Sequence, residues 1–173
     1  MPPRLVQIVR RFGPVGGMEI YVWRLAHGLS ERGWPVTVIC EQHIGCSSKG
    51  IDVIQVEKAP EKPRWKSMLI FRKRVDALLT VRFKGQPVII HSHERSASHQ
   101  VTTFHGPPIN AATNLKWIKM LSPRVFAWKQ MERQELLSQD VQRVITVSSQ
   151  VQDALVADYP ELKAKSLQLG WPG

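Results

Sequence analysis

The chain has 173 residues, 43% of them hydrophobic and 22% charged. That balance excludes a disordered chain and suits one domain with its own core. Twenty-four Lys and Arg against fourteen Asp and Glu give a net charge of +10, which points to an anionic partner: nucleic acid, a phosphorylated substrate or an acidic membrane surface.

No apolar run approaches the roughly 18 residues of a membrane-spanning helix. Arg10-Arg11 cuts the first apolar stretch short, so the N-terminus does not read as a signal peptide. Cys40 and Cys46 are too few for a disulfide framework, and both are expected as reduced thiols in a cytoplasmic protein.

The elements alternate. Leu5–Val9 is a short apolar run closed by Gly13-Pro14-Val15-Gly16-Gly17, the pattern of a buried parallel strand. A helix follows from about Gly17 to Arg32. Val22, Ala26 and Leu29 make its stripe, Glu19 sits in its first turn, and Gly33 stops it. Val36–Cys40 and Asp52–Glu57 read as strands. Arg64 to Lys84 reads as a helix with Trp65, Met68, Leu69, Val75, Leu78 and Leu79 on one side and Lys66, Lys73 and Lys84 almost opposite. Pro87–Ser92 and Gln100–Phe104 are further strands. Ser122-Pro123 opens a helix to about Ser138, with a capping hydroxyl and Pro in the first turn. Val144–Val147 is a strand, and Ser149 with Gln152 forms a capping-box pair for a helix through Asp158. Ser166–Leu169 is the last strand.

This order predicts an α/β fold: a Rossmann-like, doubly wound parallel sheet of about six or seven strands in a single domain. Ligands of such sheets bind beyond the carboxyl ends of the strands. Gly16-Gly17 lies there, between the first strand and first helix. Adjacent glycines let a backbone approach a ligand, and amides at a helix start favour an anion. A tight strand-to-helix turn is the plainer reading, and the pair lacks the three spaced glycines of the dinucleotide fingerprint. Four of the six histidines fall in His91–His105. His91 and His93 share a strand face and could meet a ligand, bind a metal with His99 or Glu94, or simply be hydrogen-bonded. No third ligand has metal-site spacing. His105 ends an apolar strand before the sharp turn Gly106-Pro107-Pro108, where a histidine can donate a hydrogen bond into a cleft.

The ordered set Gly-Gly-Met-Glu-Ile-Tyr-Val (16–22), Leu-Ser-Glu-Arg-Gly-Trp-Pro-Val-Thr-Val (29–38), His-Ser-His-Glu (91–94), Thr-Thr-Phe-His-Gly (102–106), Val-Ile-Thr-Val-Ser-Ser (144–149) and Leu-Gln-Leu-Gly-Trp-Pro-Gly (167–173) resembles the N-terminal half of the family 4 glycosyltransferases, which have the GT-B fold. Asp52–Lys58 and the basic helix look most like lipopolysaccharide core sugar transferases. The resemblance implies one domain over residues 1–173, on the acceptor side of such an enzyme. It also implies transfer of a sugar from a nucleotide-diphosphate donor to an acceptor hydroxyl, usually with retention. No tightly bound cofactor and no obligatory metal are implied. Gly16 and Gly17 match the loop near the diphosphate, and His105 the histidine that contacts the transferred sugar. His93 and Glu94 match positions near the acceptor, in a cleft expected to include Met18, Glu19, Gly106 and Ser149.

The family's donor-binding half carries a Glu-x7-Glu pair. No two glutamates here have that spacing, and the nearest approach is Glu132 with Asp140. A C-terminal domain supplied in cis or in trans is therefore expected, with little activity without it. The other reading is a non-catalytic sugar- or glycolipid-binding module on the same half-fold.

Between Lys58 and Lys84 nine basic residues face only Glu61 and Asp76, a local charge of +7. Lys66, Lys73 and Lys84, with Trp65 and Phe71 nearby, could meet a phosphorylated glycolipid or an anionic membrane face, making the protein peripheral at the inner membrane surface. A solvated helix face is the plainer reading. Nucleic acid is disfavoured, because no nucleic-acid motif accompanies the charge.

Overall fold

The computed structural model describes residues 2–45, 50–112 and 122–170, so Cys46 and the 171–173 end of the last motif lie outside the described residues. The chain forms two compact units, Met1–Glu94 and Arg95–Gly173.

In the first unit, β1 (Arg4–Ile8), β3 (Val36–Cys40), β5 (Ile51–Gln55) and β6 (Val88–Ser92) form a parallel sheet in the order β5-β3-β1-β6. Leu5 lies beside Val36 on one side and Ile89 on the other. Every residue of β3 is buried, as expected of an inner parallel strand. The chain winds outward from β1 to β5, then returns through α2 (Arg64–Arg82) to β6 on the far side of β1. That reversal makes the carboxyl ends of β1 and β6 a topological switch point.

Helix α1 (Gly17–Glu31) buries Val22 and Ala26 against Val36, Val38 and Cys40. It ends in a Schellman motif: Trp34 N–H donates to Leu29 O, Gly33 N–H donates to Ser30 O, and Gly33 takes φ +81°. Burial pushes the Cys40 thiol up to about 12, so this free cysteine is an unreactive core group.

Two short strands escaped the sequence reading. β2 (Arg11–Phe12) pairs in parallel with β4 (Gln42–His43). Gly13 makes this possible, since a Cβ there would stand 2.0 Å from the Ile44 carbonyl oxygen.

Helix α2 stops at Arg82, two residues earlier than expected. Phe83 turns into the core and Gly85 takes φ +73°. Lys84 therefore sits in the following turn. The helix buries Met68, Phe71, Val75 and Leu79, while Trp65, Leu69 and Leu78 are only half-buried. Phe71 is fully buried, with the Arg10 guanidinium 5.9 Å from its ring centroid. It is a core residue and no part of a membrane-facing surface.

In the second unit, β7 (Val101–Phe104), β8 (Arg143–Thr146) and β9 (Ser166–Leu169) form a parallel sheet in that order. A short helix α3 (Ile109–Ala112) follows β7, α4 (Pro123–Leu137) precedes β8, and α5 (Ser149–Asp158) joins β8 to β9 through a 3-10 turn at Pro160–Ala164. Its core gathers Phe104, Leu136, Val144, Leu155 and Leu162. Seven of the nine described strands thus belong to parallel sheets joined by helices, a Rossmann-like α/β architecture. Two caps differ from expectation. Ser148, not Ser149, caps α5, accepting from Val151 N–H at 3.2 Å. Ser122 is the N-cap of α4 but its side chain makes no capping bond.

Candidate functional site

The switch point of the first unit collects most of the expected cleft residues. Arg10 and Arg11, directly after β1, tie them together. The Arg10 N–H donates to Glu94 Oε1 at 3.1 Å. The Arg10 guanidinium bonds Glu41 at 2.7 Å and Ser67 at 2.8 Å. Arg11 reaches Glu19 Oε1 at 2.5 and 3.0 Å. Glu94 and the start of α1 are thus held by successive residues, Arg10 just before β2 and Arg11 at its start.

Gly16 has a packing reason. A Cβ there would stand 2.4 Å from Glu19 Oε2, so the glycine makes room for the buried Glu19 carboxylate. Glu19, in the third position of the helix, brings an internal anion to the positive end of α1. Gly17 has no such reason, because nothing lies within 4 Å of where its Cβ would be. Met18 is half-buried against the apolar core beneath.

His91 and His93 do share a face, with ring centroids 4.2 Å apart. Both are buried. His93 Nε2 is 2.6 Å from the Gln7 amide oxygen, which makes the ring nitrogen the donor, and Tyr21 meets the ring edge-on. His99, in the second unit, is fully buried. Its Nε2 lies 2.9 Å from the Glu135 carbonyl and its Nδ1 2.8 Å from Ser96 Oγ. The carbonyl accepts only, so Nε2 carries the proton and the Ser96 hydroxyl donates to Nδ1. No cluster of three or more His, Cys, Asp or Glu among the described residues is arranged to hold a metal ion.

His105 and Gly106 follow β7, and Ser149 opens α5 just after β8, so these three stand at the carboxyl end of the second unit's sheet. His105 is half-buried, Ser149 is exposed, and a Cβ on Gly106 would meet open space. The turn after His105 is anchored from below. Glu132 accepts from Ile109 N–H with both oxygens, at 3.1 and 3.2 Å, and from Tyr159 Oη at 2.9 Å. Arg95 spans Glu132 at 3.1 Å and Glu135 at 2.8 Å and lies over the Phe104 ring. Thr102 Oγ1 donates to Glu135 at 3.0 Å.

One guanidinium between two buried carboxylates leaves a deficit of positive charge. Burial therefore raises both glutamates despite Arg95, Glu135 to about 7. Burial, then Glu132, pushes the Tyr159 phenol up, so it stays a donor.

Sequence reasoning missed this network. A helix bearing Glu132, Arg133 and Glu135 reads as solvated. The available signal was spacing: Glu132 and Glu135 lie three apart, on the face that also carries buried Met131 and Leu136.

The basic segment is less charged than it reads. Arg74 pairs with Glu57, Arg82 with Asp52 and Lys58 with Glu61, while Arg72 is buried. Lys66, Lys73 and Lys84 are exposed, as are Lys62 and Arg64.

Comparison with known proteins places this architecture. A crystal structure of WaaG, a glycosyltransferase involved in lipopolysaccharide biosynthesis, matches with a TM-score of 0.78 at 15% identity, over 95% of this chain and 44% of that one. A glycosyltransferase from Rickettsia africae ESF-5 matches with a TM-score of 0.53 at 18% identity, over 96% and 42%. A ugt transferase from Siraitia grosvenorii, in complex with UDP, matches with a TM-score of 0.50 at 13% identity, over 98% and 50%. These likenesses establish the fold, and the chain spans half or less of each structure's length. No curated protein sequence matches it. The model of Glycosyltransferase Family 4 matches residues 15–166, a span that includes the glycine loop, His105 and Ser149, and the chain belongs to that family.

Proposed function

We propose that this chain is the acceptor-side half of a glycosyltransferase that moves a sugar from a nucleotide-diphosphate donor to an acceptor hydroxyl with retention. The donor-binding half is supplied in cis or in trans. The carrying observation is that the family match spans a histidine placed at the carboxyl end of a parallel strand, before a turn pinned by a buried carboxylate. In this reading His105 meets the transferred sugar. Gly17, with open space beside its Cα, lets a diphosphate approach the amides at the start of α1. Arg11 offsets the Glu19 charge there. Glu94 and Met18 of the first unit are acceptor contacts, and buried His93 supports that strand end through Gln7; Gly106 and Ser149 are substrate contacts of the second unit. Amides and cations of the chain carry the developing charge, without a metal.

The likeness to WaaG, a glycosyltransferase involved in lipopolysaccharide biosynthesis, supports a glycolipid acceptor. Exposed Lys66, Lys73 and Lys84 would then face its phosphates or an anionic bilayer. Among the described residues no helix is long and apolar enough to cross a membrane, and surface attachment is the mode proposed.

The test is release of nucleoside diphosphate from a panel of UDP-, GDP- and ADP-hexoses, with the chain joined to its donor-binding half and a lipopolysaccharide-core or glycolipid fraction present. Acceptor-dependent release with one donor is expected. No release with any donor, alongside saturable glycolipid binding by the chain alone, would replace the enzyme by a binding module.

A further inference from the structure

The His105 turn joins β7 to α3. It leaves β7 through Gly106-Pro107-Pro108, and prolines donate no backbone hydrogen bond. The first amide after the prolines is Ile109 N–H, and it donates to both oxygens of Glu132. The link crosses 23 residues of sequence, from α3 to α4. Glu132 is 1% exposed and is itself held by Arg95 and Tyr159. A carboxylate fixed on three sides is a rigid post.

We propose that Glu132 is the positioning residue of the His105 turn: by holding Ile109 N–H it sets the direction in which His105 leaves the sheet. The proposal rests on the functional reading of His105 only for its consequence, since the geometry stands without it. Glu132 touches no reacting atom. It acts through the backbone of a turn to which the two prolines contribute no N–H donor. Arg95 supplies the counter-charge, and Tyr159 keeps the carboxylate from rotating away.

The 173-residue chain itself serves for the test, by amide hydrogen exchange at Ile109 and the NMR signals of the His105 ring. Glu132→Leu removes both carboxylate acceptors, Glu132→Gln keeps one neutral oxygen, and Leu136→Ala empties a fully buried position on the same helix, in the core shared with Phe104. In Glu132→Leu, Ile109 exchange should accelerate by about tenfold or more, the range of a lost charge-assisted bond, and the His105 ring signals should move. Glu132→Gln should fall between Glu132→Leu and wild type, and Leu136→Ala, which reaches His105 only through Phe104, should move the ring signals less than Glu132→Leu does. Wild-type exchange and ring signals in a folded Glu132→Leu protein would overturn the proposal. So would an equal ring shift in Leu136→Ala, which would make Glu132 a general stability residue. If Glu132→Leu does not fold, Glu132→Gln decides, and unchanged signals there overturn it. These readouts do not involve sugar transfer. A His105 variant with normal transfer would refute the functional reading and leave the positioning intact, whereas silent Glu132 variants would do the reverse.

Discussion

Glu135 should make the second unit less stable as pH rises from 4.5 to about 7. Its carboxyl lies in the core with about 3% of its side chain exposed and shares Arg95 with Glu132. Burial raises it from 4.5 to about 7. A raised carboxyl binds its proton more tightly folded than unfolded. Its contribution is therefore most favourable below 4.5, declines from there to about 7, and is flat above. The shift corresponds to about 3 kcal/mol, at roughly 1.4 kcal/mol per pH unit. Glu135→Gln imitates the protonated form and can still accept from Thr102. Urea unfolding followed by far-ultraviolet circular dichroism at pH 5, 6, 7 and 8 isolates the effect as wild type minus variant, because other titrating groups cancel. At pH 5 the effect of Glu135 should still be under about 1 kcal/mol. By pH 8 the variant should be more stable, by up to ~3 kcal/mol less whatever Arg95 loses with its second partner. Parallel curves across this range would refute the account of the buried triad, because they would mean Glu135 is ionised in the fold at no cost.

Two further outcomes follow from the first unit. Gly16→Ala should displace the Glu19 carboxylate and weaken its pair with Arg11, costing ~1 kcal/mol in urea unfolding. In a Glu19→Ala background that penalty should vanish, and an undiminished penalty would place the constraint elsewhere. Reversing charge at Lys66, Lys73 and Lys84 together should abolish sedimentation with phosphatidylserine or lipid A vesicles while leaving the circular dichroism spectrum unchanged. Equal sedimentation of wild type and variant would remove the surface-attachment reading.

The alternation of strands and helices was legible because each core strand is a compact apolar run. Val36–Cys40 and Val88–Ser92 announce themselves by composition, and Gly33 marks a helix end that the Schellman hydrogen bonds then make. β2 and β4 were not legible. Two residues carry no periodicity, and their pairing depends on how closely Gly13 lets the chain pass Ile44. Position along the sheet could be read for Gly16, Gly17, His93, Glu94, His105 and Ser149, since strand ends are visible in sequence. What each side chain does could not. Gly16 looked like a ligand-approach residue and proves to accommodate Glu19. His93 proves to be a buried donor to Gln7. The Arg95–Glu132–Glu135 group was hidden for a general reason. Charges on a helix read as solvated unless their partner is known, and Arg95 lies 37 residues before Glu132. The same limit made the basic segment look like a charge of +7, when Glu57 and Asp52 from outside it take up Arg74 and Arg82.

The central claim is that His105 meets the transferred sugar, and one substitution tests it most directly. His105→Ala, in the chain joined to its donor-binding half, should keep the wild-type circular dichroism spectrum and unfolding midpoint, because the side chain is only half-buried at a strand end. Acceptor-dependent sugar transfer should fall by about 100-fold or more, the scale of a lost hydrogen-bond donor to developing charge. Wild-type turnover in the folded variant would contradict the claim.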